Sequence, residues 1–97
     1  MTDKAESDLQ AIHEHYASHS GIKAANDVIF RTVEGLEQLT MFSEIGRPSQ
    51  FRGKRELVFV RHPFIATYQI KNNQVQILRI QHQRTARGSD DPYPTRT

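Results

Sequence analysis

Residues 64–81, FIATYQIKNNQVQILRIQ, decide the fold because they contain the signals of a complete β-hairpin. Phe64–Ile70 and Val75–Gln81 are rich in β-branched and aromatic residues, which favours two strands. Asn72 and Asn73 lie between them and suit a two-residue hairpin turn, since asparagine tolerates positive φ. The stretch therefore predicts two antiparallel strands joined by a tight turn.

The apolar pattern of the second of these strands changes parity between Ile77 and Leu78. Either a β-bulge or burial on both faces would explain the change. Another run of β-branched and aromatic residues, Arg55–Arg61, precedes the hairpin, and Pro63 separates it from the next strand. The second half of the chain thus predicts a three-stranded antiparallel meander.

The first half has helical periodicity. Asp3–Ser18 and Ile22–Met41 each carry an apolar stripe with spacings of three and four residues. Thr2 or Asp3 can cap the first helix, and we expect Ser20 to cap the second. Because the connection is so short, the helices are expected to form an antiparallel hairpin. The predicted class is α+β, with this N-terminal helical hairpin packed on the β-meander.

Two segments lie outside these elements. Phe42 and Ile45 continue the apolar content beyond the second helix, and Gly46–Ser49 has the composition of a turn. Residues 1–88 are expected to form one domain, and residues 89–97, which are polar and contain two prolines, to form a disordered tail.

Composition excludes several classes of protein. The chain has no cysteine, so disulfides and thiolate metal sites are excluded. No apolar run approaches the roughly 20 residues of a membrane span, and the first residues lack the features of a signal peptide. We therefore expect a cytoplasmic protein that does not contact a membrane.

Charge is distributed unevenly along the chain. Residues 1–46 carry three basic and eight acidic side chains, a net charge of −5, whereas residues 47–97 carry ten and three, a net charge of +7. Such asymmetry favours an acidic partner for the second half, either nucleic acid or an acidic protein surface. A solvated basic face is the alternative.

Four segments of the chain carry recognisable motifs. They are Ala5–Tyr16, Leu39–Arg47, Arg55–Leu57 with Pro63–Ile70, and Val75–His82. The first is similar to A-x-x-D-L-x-x-I-x-x-Y, the second to L-x-x-F-P-E-I-G-R with Ser43 in place of the proline, and the last to V-x-I-L-R-V-x-H. Together they resemble the ParE/RelE family of toxins from bacterial type II toxin–antitoxin systems. The resemblance extends over residues 3–88, and the order and spacing of the segments make it specific.

One departure from the family concerns the amino terminus. Family members usually begin with a strand just before the first motif, and here Met1–Thr2 stands where that strand would end. We expect either an open reading frame assigned from an internal start or a naturally shortened chain. In both cases one sheet edge would be exposed.

The family contains two activities. RelE-like members cut messenger RNA on the ribosome, and ParE-like members act on DNA gyrase without cutting nucleic acid. The RelE-like catalytic cations on the first two meander strands correspond to Glu56, Val58 and Ile65, none of which is basic. His82 and Arg84 are weak catalytic candidates, as a general acid or base and a phosphate-binding cation. The resemblance thus implies a ParE-like gyrase poison rather than an enzyme.

The basic residues of the second half are the candidate target-binding side chains. In a gyrase poison they would contact DNA or an acidic surface of the enzyme, whereas the alternative is a solvated, screened loop. These candidates are Arg47, Arg52, Lys54, Arg55, Arg61, Arg79, Arg84 and Arg87.

Partners and cofactors complete the expectations. The resemblance implies a cognate ParD-like antitoxin, bound in a hetero-oligomer through an open sheet edge and an apolar groove of the helical hairpin. Two alternatives remain, a RelE-like ribosome-dependent endoribonuclease and an inactive toxin that only binds antitoxin.

His15 and His19 lie four residues apart on one helix, but a closed zinc site needs further ligands. We therefore expect surface histidines, no metal and no cofactor.

Overall fold

Two helices precede a four-stranded antiparallel sheet in the computed structural model, which describes residues 1–59 and 62–82. The strand order is β1-β2-β3-β4, so each strand pairs with its neighbours in the chain. This confirms the predicted α+β class and adds one short strand to the predicted meander. The elements are α1 (Asp3–Ser20), α2 (Ile22–Glu37), a 3-10 turn (Gln38–Thr40), β1 (Arg47–Pro48), β2 (Arg55–Val58), β3 (Phe64–Lys71) and β4 (Gln74–His82).

Thr2 starts α1 and also ties it to the sheet. Its Oγ1 accepts a bond from the backbone N of Ala5 at 3.2 Å, which confirms the predicted N-cap. Its own backbone N donates to the carbonyl oxygen of Ile77 at 3.1 Å, and its hydroxyl donates to the same oxygen at 2.8 Å. The first turn of α1 is thereby fixed against β4.

The two helices are separated by a single residue, Gly21, whose φ of +94° reverses the chain. The predicted Ser20 cap of α2 is wrong, because α1 continues through Ser20 and Gly21 takes the cap position without a side-chain bond. At its other end α2 stops at Glu37, and the 3-10 turn occupies most of the remaining predicted span. The antiparallel pairing of the helices follows from this short connection.

The β3–β4 hairpin has the predicted turn, and of the two explanations for the parity change in β4 the structure shows the bulge. Asn72 and Asn73 adopt φ values of 54° and 63°, as a two-residue turn with positive φ requires. The register between β3 and β4 shifts so that Leu78 has no partner in the ladder. The bulge restores parity, and Ile77 and Ile80 therefore both face the core.

The sheet has two distinct faces. Side chains from β3 and β4 pack against the helices in one apolar core, in which Tyr68 is fully buried. Because side chains alternate along a strand, Glu56, Ile65 and Thr67 lie on the opposite, outer face. All three are nonetheless buried. The core consists of Ala5, Ile12, Val28, Leu36, Leu39, Phe64, Ala66, Tyr68, Ile77 and Ile80.

Two sequence-based boundaries differ from the structure. Within the predicted Gly46–Ser49 turn, Arg47 and Pro48 form strand β1, which pairs with Glu56 and Arg55 of β2. The predicted first strand of the meander is shorter than expected and ends at Val58.

Neither helix in the described part of the chain combines the length and apolarity needed to cross a membrane. The domain boundary at residue 88 and the tail at 89–97 lie outside the described residues.

Candidate target- and partner-binding surfaces

Four of the predicted target-binding cations lie in β1, in the connection between β1 and β2, or at the start of β2. Ser49 N donates to Lys54 O at 2.9 Å, which closes this connection into a tight loop. Arg47 and Arg52 are exposed, whereas Lys54 and Arg55 are half-buried. These four positive side chains thus lie at and beside the β1 edge of the sheet.

An ion pair crosses from β1 to β2 on the outer face. Arg47 Nε donates to Glu56 Oε1 at 3.0 Å, and the two residues are direct cross-strand partners. Glu56 is buried and Arg47 is exposed, so the arginine supplies the charge that a buried carboxylate needs. Arg47 is therefore a structural partner of Glu56 as well as a surface cation.

The side chains of Arg55 and Tyr68 hold the backbone of the segment before β1. Arg55 Nη2 donates to the carbonyl oxygens of Gly46 at 2.8 Å and Glu44 at 3.1 Å. The Tyr68 hydroxyl donates to the carbonyl oxygen of Ser43 at 2.8 Å and accepts a bond from Gly46 N at 3.0 Å. Arg55 therefore has a role inside the molecule that its sequence position did not reveal.

Large apolar side chains are exposed on the same segment. Met41, Phe42 and Ile45 are 78%, 58% and 46% exposed. In the sequence Phe42 and Ile45 continue the apolar pattern beyond the second helix, and that pattern did not indicate an exposed surface. The sequence signal that could have indicated exposure is that Phe42 and Ile45 do not continue the helical period and lie just before a glycine.

Arg79, another predicted target-binding residue, is bound to Asp8 of α1. The carboxylate of Asp8 accepts bonds from Arg79 Nε at 2.8 Å and Nη2 at 3.2 Å, and from Ile80 N at 2.9 Å. A bidentate pair of this kind joins helix to strand. The structure thus separates Arg79 from the cations of the β1–β2 loop. Arg61, Arg84 and Arg87 lie outside the described residues.

His82, the catalytic candidate at the end of β4, lines a cleft beside α1. Its ring meets that of Phe64 edge to face at a centroid distance of 6.2 Å, and Tyr16 meets Phe64 similarly at 6.3 Å. The cleft has a volume of about 440 Å³ and lies between α1 and the ends of β3 and β4. Its lining is largely apolar and aromatic, which suits the side chain of a partner better than phosphate chemistry.

The positions of the RelE-like catalytic cations face away from the helices. Glu56 is paired with Arg47, Ile65 is fully buried, and Val58 is the cross-strand partner of Ile65. A 2′-hydroxyl attack on RNA requires cations that stabilise the charge developing on the phosphate. An acidic and two aliphatic side chains do not provide them at these positions.

Two features of the hairpin and sheet are available to a partner. On α2, Ile22 and Phe30 are 60% and 64% exposed, although the opposite face of the helix is buried in the core. In the described part of the chain, the outer edge of β4 pairs with no further strand, but Thr2 already bonds Ile77 O and Asp8 already bonds Ile80 N on that edge. An amphipathic helix fits the first feature, and an added strand fits only the backbone groups of β4 that Thr2 and Asp8 leave open.

The histidines of α1 are engaged locally. His13 Nε2 and Asn26 Oδ1 are 2.8 Å apart, as are His19 Nδ1 and the carbonyl oxygen of His15. The rings of His15 and His19 stack at a centroid distance of 4.3 Å. Within residues 1–59 and 62–82, no group of three or more histidine, aspartate and glutamate side chains is arranged to hold a metal ion.

Comparison with known proteins identifies the class of this fold. Residues 1–87 match the family described as "ParE toxin of type II toxin-antitoxin system, parDE". A solved structure titled "Chromosomal ParDE TA system from P. aeruginosa" is similar, with 37% sequence identity and a TM-score of 0.78. The similarity covers 84% of this chain and 89% of that chain. Among curated proteins, none matches.

The chain therefore belongs to the ParE toxin family of type II toxin–antitoxin systems. Membership confirms the resemblance that the sequence motifs indicated. It also accounts for the order of the elements, a helical hairpin followed by an antiparallel meander.

Proposed function

We propose that this toxin inhibits DNA gyrase and is held inactive by a cognate ParD-like antitoxin. The proposal extends family membership to a target and to a partner. Both would be met in the bacterial cytoplasm, which we take to be where the toxin acts.

The character of the outer sheet face is the observation that carries the choice of gyrase over messenger RNA. Glu56, Val58 and Ile65 occupy the positions at which a RelE-like enzyme has its cations. Exchange of cations for an anion and two aliphatic groups removes the electrostatic stabilisation that phosphate cleavage needs. A member of this family without a cutting site acts by binding, and ParE-like members bind gyrase.

The antitoxin is expected to use two surfaces of the toxin. The exposed apolar side chains of α2, Ile22 and Phe30, support the docking of an amphipathic helix. The outer edge of β4 supports strand addition only at the backbone groups that Thr2 and Asp8 do not already bond. The net charge of +7 over residues 47–97 favours an acidic antitoxin segment. Binding to both surfaces would yield a hetero-oligomer.

The test is a gyrase assay on supercoiled plasmid with ATP, in the presence and absence of the purified toxin. A poison traps the cleaved complex, so linear DNA should accumulate with toxin and disappear when the ParD-like antitoxin is added in excess. Plasmid incubated with toxin but without gyrase is the control for direct nuclease action. Gyrase that relaxes and supercoils normally at saturating toxin would refute the proposal.

Two other activities would give different results. Cleavage of messenger RNA on ribosomes that is lost in His82→Ala would indicate a RelE-like nuclease. Tight antitoxin binding without growth arrest would indicate a toxin that has lost its activity.

A further inference from the structure

We propose that residues 41–47, here called the recognition loop, form the surface that contacts the target, and that Tyr68 and Arg55 are its positioning residues. The identity of that target as DNA gyrase rests on the function proposed above. The occupant we infer is a recess on the target protein that is apolar at its centre and bordered by carboxylates.

The side chains of the recognition loop have the composition of an interface centre. Three of its residues, Met41, Phe42 and Ile45, project large apolar groups into solvent within five positions of the chain. An exposed apolar cluster of this kind marks a contact site more often than a solvated surface. Methionine, phenylalanine and arginine are also enriched where protein partners meet. This composition favours binding to a protein surface over binding to a phosphate backbone.

Charge around the loop specifies the border of the recess. Arg47 ends the loop and Arg52 lies on the adjoining β1–β2 connection, and both are exposed, Arg47 keeping 52% of its side-chain surface although it pairs with Glu56. They outnumber the one exposed carboxylate of the loop, Glu44. Opposite charge at the rim of an interface guides association and selects the partner. The apolar cluster with its cationic rim is therefore complementary to an apolar recess with an acidic rim.

The loop is held in one shape by side chains of the sheet. Tyr68 bonds the backbone at Ser43 and Gly46, and Arg55 bonds it at Glu44 and Gly46. The fit is close, because a Cβ on Gly46 would lie 2.5 Å from the Tyr68 hydroxyl oxygen. A segment ordered before binding loses less conformational entropy in the complex. Tyr68 is buried and so is not part of the exposed surface, but its hydrogen bonds hold that surface in one conformation.

Position on the molecule separates the recognition loop from an antitoxin surface on α2. Ile22 begins that helix and the loop follows its end, so about 24 Å of a 16-residue helix lies between them. Phe30 lies midway. Exposed apolar residues of α2 therefore provide matched controls, since they have the same character at a different place.

The experiment compares Phe42→Ser with Ile22→Ser/Phe30→Ser, each produced and purified with the antitoxin and then separated from it. Affinities for gyrase and for the ParD-like antitoxin are measured for each toxin, together with growth arrest on induction. Phe42→Ser should weaken gyrase binding by at least about tenfold, the loss of one interface hot spot, and abolish growth arrest. Its antitoxin affinity should stay within about twofold. The α2 variant should show the opposite pattern.

Tyr68→Phe tests the positioning role, because it keeps the ring and removes both hydrogen bonds of the hydroxyl. Amide hydrogens of residues 44–47 should exchange faster, and gyrase affinity should fall by about three- to tenfold, as expected for two lost hydrogen bonds. Antitoxin affinity should be unchanged, whereas a general loss of stability would lower both affinities. Equal losses of both would overturn the positioning role.

The results distinguish failure of the recognition loop from failure of gyrase as the target. If Phe42→Ser binds gyrase and arrests growth like the unchanged toxin, the recognition loop is refuted. If it weakens antitoxin binding as strongly as gyrase binding, the loop is not a target surface. An unchanged toxin that arrests growth without binding gyrase would refute gyrase as the target, while loss of arrest in Phe42→Ser would still support the loop. A toxin that neither binds gyrase nor arrests growth would overturn both.

Discussion

The contact of Asp8 with β4 yields a quantitative prediction of stability. Asp8→Ala removes an acceptor from Arg79 Nε at 2.8 Å, from Arg79 Nη2 at 3.2 Å and from Ile80 N at 2.9 Å. The Arg79 and Asp8 side chains are 18% and 14% exposed, so we expect the contribution of this ion pair to stability to lie between that of an exposed pair and that of a fully buried pair. Exposed pairs contribute about 0.2–1 kcal/mol, and breaking a fully buried pair costs about 3–5 kcal/mol. With the backbone bond included, we expect a loss of about 2–3 kcal/mol.

Urea unfolding followed by circular dichroism measures this loss, and thermal unfolding should show a decrease in Tm of about 10–20 °C for a domain of this size. Asp8→Asn retains an oxygen for Ile80 N, so its loss should be intermediate. A double-mutant cycle with Arg79→Met should yield a coupling energy above about 1 kcal/mol. If Asp8→Ala unfolds within about 0.5 kcal/mol of the unchanged protein, the reasoning from burial and geometry is refuted.

Three further predictions concern Gly46, Arg47 and Asn73. Gly46→Ala should cost about 2–3 kcal/mol, because its Cβ would lie 2.5 Å from a tyrosine oxygen, whereas Gly53→Ala, at φ +76° in open space, should cost about 1 kcal/mol. Equal urea midpoints for these two variants would contradict the steric argument. Arg47→Ala should cost about 1–2 kcal/mol by leaving the Glu56 carboxylate unpaired, and adding Glu56→Gln should recover part of that loss in the same assay. Asn73→Gly should raise the free energy of unfolding by a few tenths of a kcal/mol or more, since φ is 63° there, and a fall in Tm would contradict this expectation.

Local signals were sufficient for most of the secondary structure. The asparagine pair at 72–73 predicted the hairpin turn, and the parity change after Ile77 indicated either burial on both faces or the bulge that is found at Leu78. These features depend on φ preferences and on the two-residue period of a strand, which neighbouring residues set by themselves. The Thr2 cap was predictable for the same reason.

Predictions that depended on the junction between elements were less accurate. Ser20 was expected to cap α2 but belongs to α1, which continues two residues beyond its predicted end until Gly21, with a φ of +94°, reverses the chain. The Gly46–Ser49 turn contains strand β1, since Arg47 and Pro48 find partners in β2. A two-residue strand has too little pattern of its own to be detected without its partner.

For the candidate site, the sequence likewise predicted what lies close together in the chain and missed what depends on distant contacts. Sequence identified Arg47, Arg52, Lys54 and Arg55 as a group, because they are close together in the chain. It did not distinguish Arg79, whose partner Asp8 is 71 residues away. Charge composition states which side chains are basic, but only contacts across the fold determine which of them are engaged in ion pairs.

Residue order alone settled the class of fold, the helical hairpin, the β-meander and the family, because each depends on periodicity, turn preference or motif spacing within short windows. The tertiary structure decided which apolar residues remain exposed and which backbone segment is held. Phe42 and Leu39 lie three residues apart with similar apolar character, yet one is 58% exposed and the other 1%. Tyr68 holds Ser43 and Gly46 from more than twenty residues away. Burial and long-range hydrogen bonds are properties of the assembled core, so they follow from packing and not from any local run of the sequence.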